Sequence, residues 1–432
     1  KAIRSHSAWE AFAFYKKALA VFDHLPDDGE QEKNRLTILH AMLSPIIILN
    51  FPEGSLDLLE AGATLSRELD DQKSLIRFYS NIGFFHSFKG RHQEGIRFSG
   101  KAFEEATAIN DLTAMAQAAP DLCLANFSTG RFQKVIEVTS TMIRAIHKAE
   151  REQDTFGGPA IIYPAFLSLS GLSQAQLGRV DEGMANCRYG LEAAMASANV
   201  FTISLCRYYT GMALLLKGAW NEARSYFMRC LDGLERVDFI QIEALAKGGL
   251  GVAEAHIGDP MPARAMAEAG LKAFADADIK GQVSALQGYV GMCCFASANF
   301  EDAHWFMNQS LASAIENDES YHQGIALIWE GRILGKVSTT APPEAAQRIE
   351  EGLEILAELG ATPDIAIGRL FLGEQFAQRK EEEAATTHLK AAGALFTEMG
   401  MDYWMEETDK IMNRELNGTE NFSDGEQVPA SG

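Results

Sequence analysis

The chain has 432 residues, 59 of them acidic and 38 basic, for a formal charge of -21, which argues against a phosphate-binding surface. Hydrophobic residues make up 47% and charged residues 22%, so wholesale disorder is excluded. The six cysteines show no CxxC spacing, which speaks against a zinc ribbon or disulfide scaffold and fits a reducing, cytoplasmic setting.

In chain order, residues 7–22 read as a helix with Ala11 and Ala18 seven apart on one face. This is the pattern of the second helix of a hairpin, so the chain is expected to begin inside a repeat. Residues 32–49 and 52–69 read as the next hairpin. From there glycines recur at Gly90, Gly130, Gly178, Gly218 and Gly258, with Ala298 next, at steps of 40, 48, 40, 40 and 40 residues. Self-similarity at a fixed period of this size marks a repeat array. Seven residues before each mark stand Gly83, Cys123, Gly171, Gly211, Gly251 and Gly291; five after stand Gly95, Val135, Gly183, Ala223, Ala263 and Ala303. Thirteen after come Phe103, Ile143, Leu191, Leu231, Leu271 and Leu311, all apolar.

Two antiparallel helices approach closely only where side chains are small, so the small columns locate helix crossings. The mark glycine reads as a left-handed stop between the two helices. The longer step contains residues 148–159, rich in charge and glycine, and predicts a lengthened loop. Past Ala298 the phase continues through Gly331 with Ala345 and Gly373 with Ala385. Residues 402–414 supply a terminal helix with Glu406, Glu407 and Asp409 outward, the polar cap that a solenoid end needs. The segment 417–432 has the composition of a disordered acidic tail.

The columns resemble the tetratricopeptide pattern, although the usual repeat is shorter than the 40 residues found here. The resemblance implies an all-α fold: a right-handed α-α superhelix of about nine to ten helical hairpins over residues 1–416. Two uncharged stretches, 155–178 and 281–300, fall in phase with the repeat and are interrupted by polar residues, so neither is expected to cross a membrane.

Candidate chemistry is sparse. Gly171, Ser173 and Ala175 resemble a nucleophile elbow, but the segment lies inside a predicted helix rather than at a strand-to-helix turn. Gly249, Leu250 and Gly251 have no preceding strand and no third glycine, and Gly335 with Lys336 lacks the rest of a P-loop. The ten histidines form no HExxH, so no metal or other cofactor is expected. Cys293 and Cys294 read as small buried side chains, there being no basic neighbour to lower a thiol pKa. Asn126 and Asn308 open glycosylation sequons that have no role in a cytoplasmic chain. No catalytic residue is assigned and the chain is read as non-enzymatic.

Tetratricopeptide arrays bind partners on the concave face formed by their first helices, and the resemblance places Arg77, Phe84, Phe88, Phe127, Tyr208, Met212, Met292 and Phe295 there. Leu124, Leu172, Leu215, Val252 and Ile328 share that face. It is apolar, so the Lys and Arg clamp that grips acidic tails is missing. Two readings stay open: a groove for a protein or peptide, such as an apolar or amphipathic helical segment, or ordinary core of a tightly wound array. Neither nucleic acid nor membrane is an expected partner, and residues 7–22 are a candidate self-association surface.

The opening residues Ala2, Ile3, Arg4, Ser5, Ala8, Trp9, Glu10 and Ala11, followed by Tyr15, Ala18, Leu19, Leu25, Pro26 and Asp27, resemble the start of the helical repeat region of large bacterial signalling proteins. In those proteins a class III adenylate/guanylate cyclase domain and a STAND-type NTPase precede a C-terminal repeat array. The close, with Ala394, Leu395, Phe396, Glu398, Met399, Gly400, Tyr403 and Trp404, looks like their terminal repeat. The resemblance implies a sensor or autoregulatory arm. Similar arrays end LuxR/MalT-like transcription regulators, which makes a peptide or small-molecule receptor module the alternative.

Overall fold

The structure, a computed structural model, describes residues 2–22, 29–235, 239–258, 260–338 and 340–416, and among these the chain is helix and turn with no strand. The tail expected over 417–432 lies outside the described residues. The first ten helices are α1 (Ala2–Phe22), α2 (Gly29–Ile48), α3 (Ser55–Glu68), α4 (Gln72–Phe88), α5 (His92–Ala108), α6 (Leu112–Ser128), α7 (Phe132–Lys148), α8 (Ile162–Gln176), α9 (Val180–Ser197) and α10 (Val200–Lys217). The rest are α11 (Trp220–Leu234), α12 (Ile240–Ile257), α13 (Pro260–Asp276), α14 (Val283–Ala296), α15 (Phe300–Glu316), α16 (Ser320–Val337), α17 (Pro343–Leu359), α18 (Thr362–Gln378), α19 (Glu382–Met399) and α20 (Asp402–Ile411), closed by a π-helical turn over Met412–Leu416. Each even-numbered helix from α2 to α18 pairs with the next, α1 packs on α2, and α20 covers the last hairpin. No helix among the described residues is long and apolar enough to cross a membrane.

The hairpins close where the small columns predict. A Cβ on Gly83 would lie 2.8 Å from Ser99 N and 3.1 Å from the Gly95 carbonyl oxygen; one on Gly251 would lie 2.7 Å from the Ala263 carbonyl oxygen. Backbones in contact leave no space for a side chain, which explains the columns better than conformational freedom does. Gly249 belongs to the same close packing, since its Cβ would lie 2.6 Å from Phe227 Cζ. Large side chains fill the space beside each crossing: in α7, Phe132, Val135, Thr139, Met142 and Ile146 form one buried stripe at helical spacing. Side-chain caps start α4, α6, α10 and α15, where Asp71, Asp111, Asn199 and Asn299 accept from backbone amides two or three residues into the helix.

The turn glycines are left-handed at Gly90, Gly130, Gly178 and Gly218, with φ of 77, 78, 85 and 81°. Ala298 takes the same conformation at φ 56°. Gly258 does not: its φ is -142°, and the helix after it opens on Pro260, which the other five turns lack. The lengthened loop before α8 is pinned by Arg151, which pairs with Asp154 and lies 4.3 Å over the Phe156 ring, itself 3% exposed.

The superhelix winds tightly enough for its second turn to sit on its first. Lys280 N and Gly281 N donate to the Phe88 carbonyl at 3.0 and 3.1 Å, and Lys89 pairs with Asp278 at 2.5 Å. Along the same seam Cβ atoms on Gly130, Gly178 and Gly218 would meet Leu359 at 2.7 Å, Thr362 at 2.9 Å and Tyr403 at 2.9 Å. The turns at Gly90, Gly130, Gly178 and Gly218 therefore serve twice, as left-handed stops and as contact points between superhelical turns. Ala298 and Gly258 are exposed. One large core cluster runs from Phe12 to Ile411, and a small second one gathers Leu172, Ala175, Cys187 and Ala213.

Candidate functional site

Closure of the second turn over the first turns the concave face into an interior. At the axis a cavity of about 120 Å³ remains, lined by α6, α8, α10, α12, α14, α16, α18 and α20 together with Trp220 at the start of α11. Its walls are Phe127, Tyr208, Met212, Leu215, Leu245, Val252, Tyr289, Met292, Ile328, Trp329, Ile367 and Trp404. Phe127, Met212, Leu216, Met292, His322 and Ile325 are only half-buried, so the cavity is not sealed.

A few polar groups converge on these walls. The Tyr321 hydroxyl lies 3.0 Å from Asp364 Oδ2 and 3.2 Å from Gln176 Oε1, joining α8 of the first turn to α16 and α18 of the second. One hydroxyl has one proton to give, so it cannot donate to both. Burial pushes the Asp364 carboxyl up to about 7. Protonated, it donates to the Tyr321 oxygen, and Tyr321 donates to Gln176, which satisfies all three. Tyr289 is pushed upward by burial and then by the Asp364 charge, and among the described residues its hydroxyl meets only the Met212 thioether, at 3.8 Å. Burial lowers both His256 and His322, favouring their neutral forms.

The seam behind the cavity holds a second polar cluster. Glu319, fully buried, accepts from His92 Nε2 at 2.8 Å, from the Gln282 amide at 2.6 Å and from the Ser284 hydroxyl. Trp404 closes the far end, donating from Nε1 to the Leu216 carbonyl at 3.2 Å.

Of the thirteen residues expected on the concave face, the cavity gathers Phe127, Tyr208, Met212, Leu215, Val252, Met292 and Ile328. Phe84 and Phe88 form a separate aromatic cluster around Phe51, with ring centroids at 5.3 Å. Phe295 meets Trp329 edge to face and lies under the Arg332 guanidinium, 4.8 Å from its ring. Arg77 is exposed on α4. Sequence reasoning missed Gln176, Trp220, Tyr289, Tyr321, Asp364 and Trp404, because what brings them together is the seam between turns. The sole local signal was the closing Tyr403 and Trp404.

Other candidates resolve as packing. Gly171 and Ser173 lie within α8, and Ser173 donates to the Leu169 carbonyl at 2.9 Å. The Cys293 and Cys294 thiols are buried, and burial pushes them up to about 12 and about 11. Among the described residues no group of three or more His, Cys, Asp or Glu is placed to hold a metal ion. A larger furrow of about 670 Å³ follows the outer turns, lined by Asp70, Asp71, Lys73, Asn110, Asp111 and Arg151. Both of its cations are already paired, Lys73 with Asp111 at 2.9 Å and Arg151 with Asp154, and Asp71 caps α4.

The architecture is that of a tetratricopeptide-like α-solenoid. In fold it is similar to a Rap protein solved in complex with competence and sporulation factor: TM-score 0.58 and 11% identity, over 85% of this chain and 99% of that one. A signal transduction ATPase with numerous domains from Pyrococcus horikoshii, which carries a tetratricopeptide repeat sensor, matches at TM-score 0.43 and 11% identity over 95% of this chain and 72% of that one. The Cut9-Hcn1 assembly of the APC/C matches at TM-score 0.42 and 11% identity, over 92% and 87%. No family model and no curated relative matches the sequence.

Proposed function

We propose that the chain is a non-catalytic regulatory scaffold that takes a peptide or protein segment into its axial cavity. The observation that carries this reading is the cavity itself: an unsealed apolar chamber at the axis with a small set of convergent polar groups, the composition of a ligand site. The Rap protein of similar fold, solved with a signalling factor bound, supports it. An intact α-helix is roughly 10–12 Å across with its side chains, too wide for this chamber while the seam is shut. The tip of a single peptide side chain fits better than the amphipathic helix suggested by the groove alone.

The array of residues 1–416 would then be the sensor arm of a multidomain bacterial signalling protein, or the receptor module of a LuxR/MalT-like regulator. Ligand entry would act through the pitch of the superhelix, because the cavity walls and the seam share Tyr321 and Trp404.

The test is thermal stabilisation by pooled short peptides, wild type against a Met212→Trp, Met292→Trp chain whose cavity is filled. Peptides should stabilise the wild type and lose that effect in the filled chain. Equal stabilisation of both chains, or of neither, sinks the reading. Self-association is proposed for α1, which leaves Trp9, Phe14 and Val21 more than half exposed. Sedimentation should find dimers that a Phe14→Asp chain does not form, and a wild-type monomer refutes it.

A further inference from the structure

The axial cavity contains a carboxyl group for which the described residues supply no cation. Asp364 is 6% exposed and its surroundings hold a tyrosine hydroxyl and its own backbone amide, but no basic side chain acts on it. The two histidines that share the cavity, His256 and His322, are held toward neutrality by burial. The Tyr321 hydroxyl meets the acid at 3.0 Å and Tyr289 lies close enough to feel its charge, and the cavity walls also include Tyr208, Trp220, Trp329 and Trp404. Tyr289 is 9% exposed, and among the described residues its hydroxyl has only a thioether as partner, a weak acceptor.

We propose that this cavity binds a small organic cation, an ammonium or guanidinium head, with Asp364 as counter-ion and the aromatic walls as its cage. This rests on the reading of the cavity as a ligand site. A cation among these rings is attracted by their faces, and the attraction is greatest where water is excluded. Its N–H groups donate to the Asp364 carboxylate, which keeps the Tyr321 hydroxyl as a donor, and to the Tyr289 oxygen, whose partner is a thioether. As the cation enters, the carboxyl proton leaves for bulk solvent, so the chamber stays neutral. A bound anion would meet the acid with no compensating base. The volume, about 120 Å³, is near the roughly 150 Å³ of a cavity that takes up benzene, large enough for a head group and too small for a whole residue with its neighbours.

The experiment titrates the full chain with ethylammonium and methylguanidinium, with ethanol and methylurea as neutral counterparts of nearly equal shape. Acetyl-lysine amide presents the same head on a peptide side chain. Calorimetry and thermal shift should show the cations about tenfold or more tighter than their neutral counterparts in the wild type, with release of a proton below the titration range of the carboxyl. Asp364→Asn, which keeps a hydrogen bond to Tyr321, should abolish both the preference and the proton release. Tyr289→Phe should weaken the cations alone, and it serves if the Asn chain does not fold. Acetyl-lysine amide binding tighter than ethylammonium identifies a basic side chain as the source of the head group; the reverse order identifies a free amine. Equal binding of charged and neutral probes, or a preference that survives in Asp364→Asn, overturns the proposal. In that case pooled peptides that still stabilise the wild type and not the Met212→Trp, Met292→Trp chain leave the scaffold reading standing.

Discussion

Gly130 combines the two demands that fix a residue type in this array. Its φ of 78° penalises a side chain, and a Cβ there would lie 2.7 Å from Leu359 Cδ1 and 3.0 Å from Tyr321 Cβ. Gly130→Ala should therefore lower stability in urea by about 1–3 kcal/mol. Ala298 has a similar φ of 56° on an exposed edge, so Ala298→Gly should change stability by less than about 1 kcal/mol. Equal effects at the two sites would mean that the seam adds nothing to the cost. The spacing revealed both positions as turns, while the seam contact that separates them was invisible in it. Asp364 gives the pH dependence. Its folded pKa, about 7, lies above the ordinary carboxylate range because burial disfavours the charge. The folded chain thus holds the proton where the unfolded chain has lost it, and the stability tied to this group is fully present below the ordinary range and lost as pH rises to the folded value. The stability of wild type minus that of Asp364→Asn should fall by up to about 1.4 kcal/mol per pH unit across that window and be flat above it. A flat difference throughout would place the carboxyl in water.

Helices and their ends were the most legible level, because capping and close packing act within one hairpin. Asp111 accepts from Ala114 N at 3.1 Å at the start of α6, and Asp111→Ala should cost about 1 kcal/mol; its exposed partner Lys73 adds little. The small columns located the close crossings at Gly83, Gly171, Gly251 and Gly331, since a residue that meets backbone announces itself by having no side chain. What joins one hairpin to the next is harder to read. Arg332 of α16 stacks 3.8 Å from the Phe371 ring of α18 and faces Glu374, which also takes Lys336 at 2.5 Å. The side chain of Glu374 is 4% exposed and its charge is held by these two cations. In the sequence Arg332, Lys336 and Glu374 look like any solvated charges. Glu374→Ala leaves a buried guanidinium without its counter-ion and should cost about 3–5 kcal/mol in urea denaturation. A loss below about 1 kcal/mol would mean that water reaches Arg332 and stands in for the carboxylate.

At the scale of the molecule, the seam decides whether the array is an open spiral or a closed body, and no periodicity foretells it. Its partners are 227 residues apart for His92 and Glu319 and 145 for Gln176 and Tyr321. A repeat pattern repeats the hairpin; the pitch that brings one turn onto another accumulates from small rotations and leaves no local mark. Two kinds of contact hold the seam, and they differ in energy. Lys89 and Asp278 pair at the surface, where solvent screens them. Glu319 is buried with three donors converging on it, from His92, Gln282 and Ser284. Removing that acceptor strands all three, so the buried cluster should be the clasp. Hydrogen exchange separates the two. In Glu319→Ala, amides over 86–92 and 277–282 should lose protection together while those of α12 keep theirs, because the hairpins themselves are untouched. Lys89→Ala should leave the pattern of the wild type. If protection in Glu319→Ala falls evenly along the chain, the seam is no separate unit, and ligand entry at the axis has no hinge through which to change the superhelix.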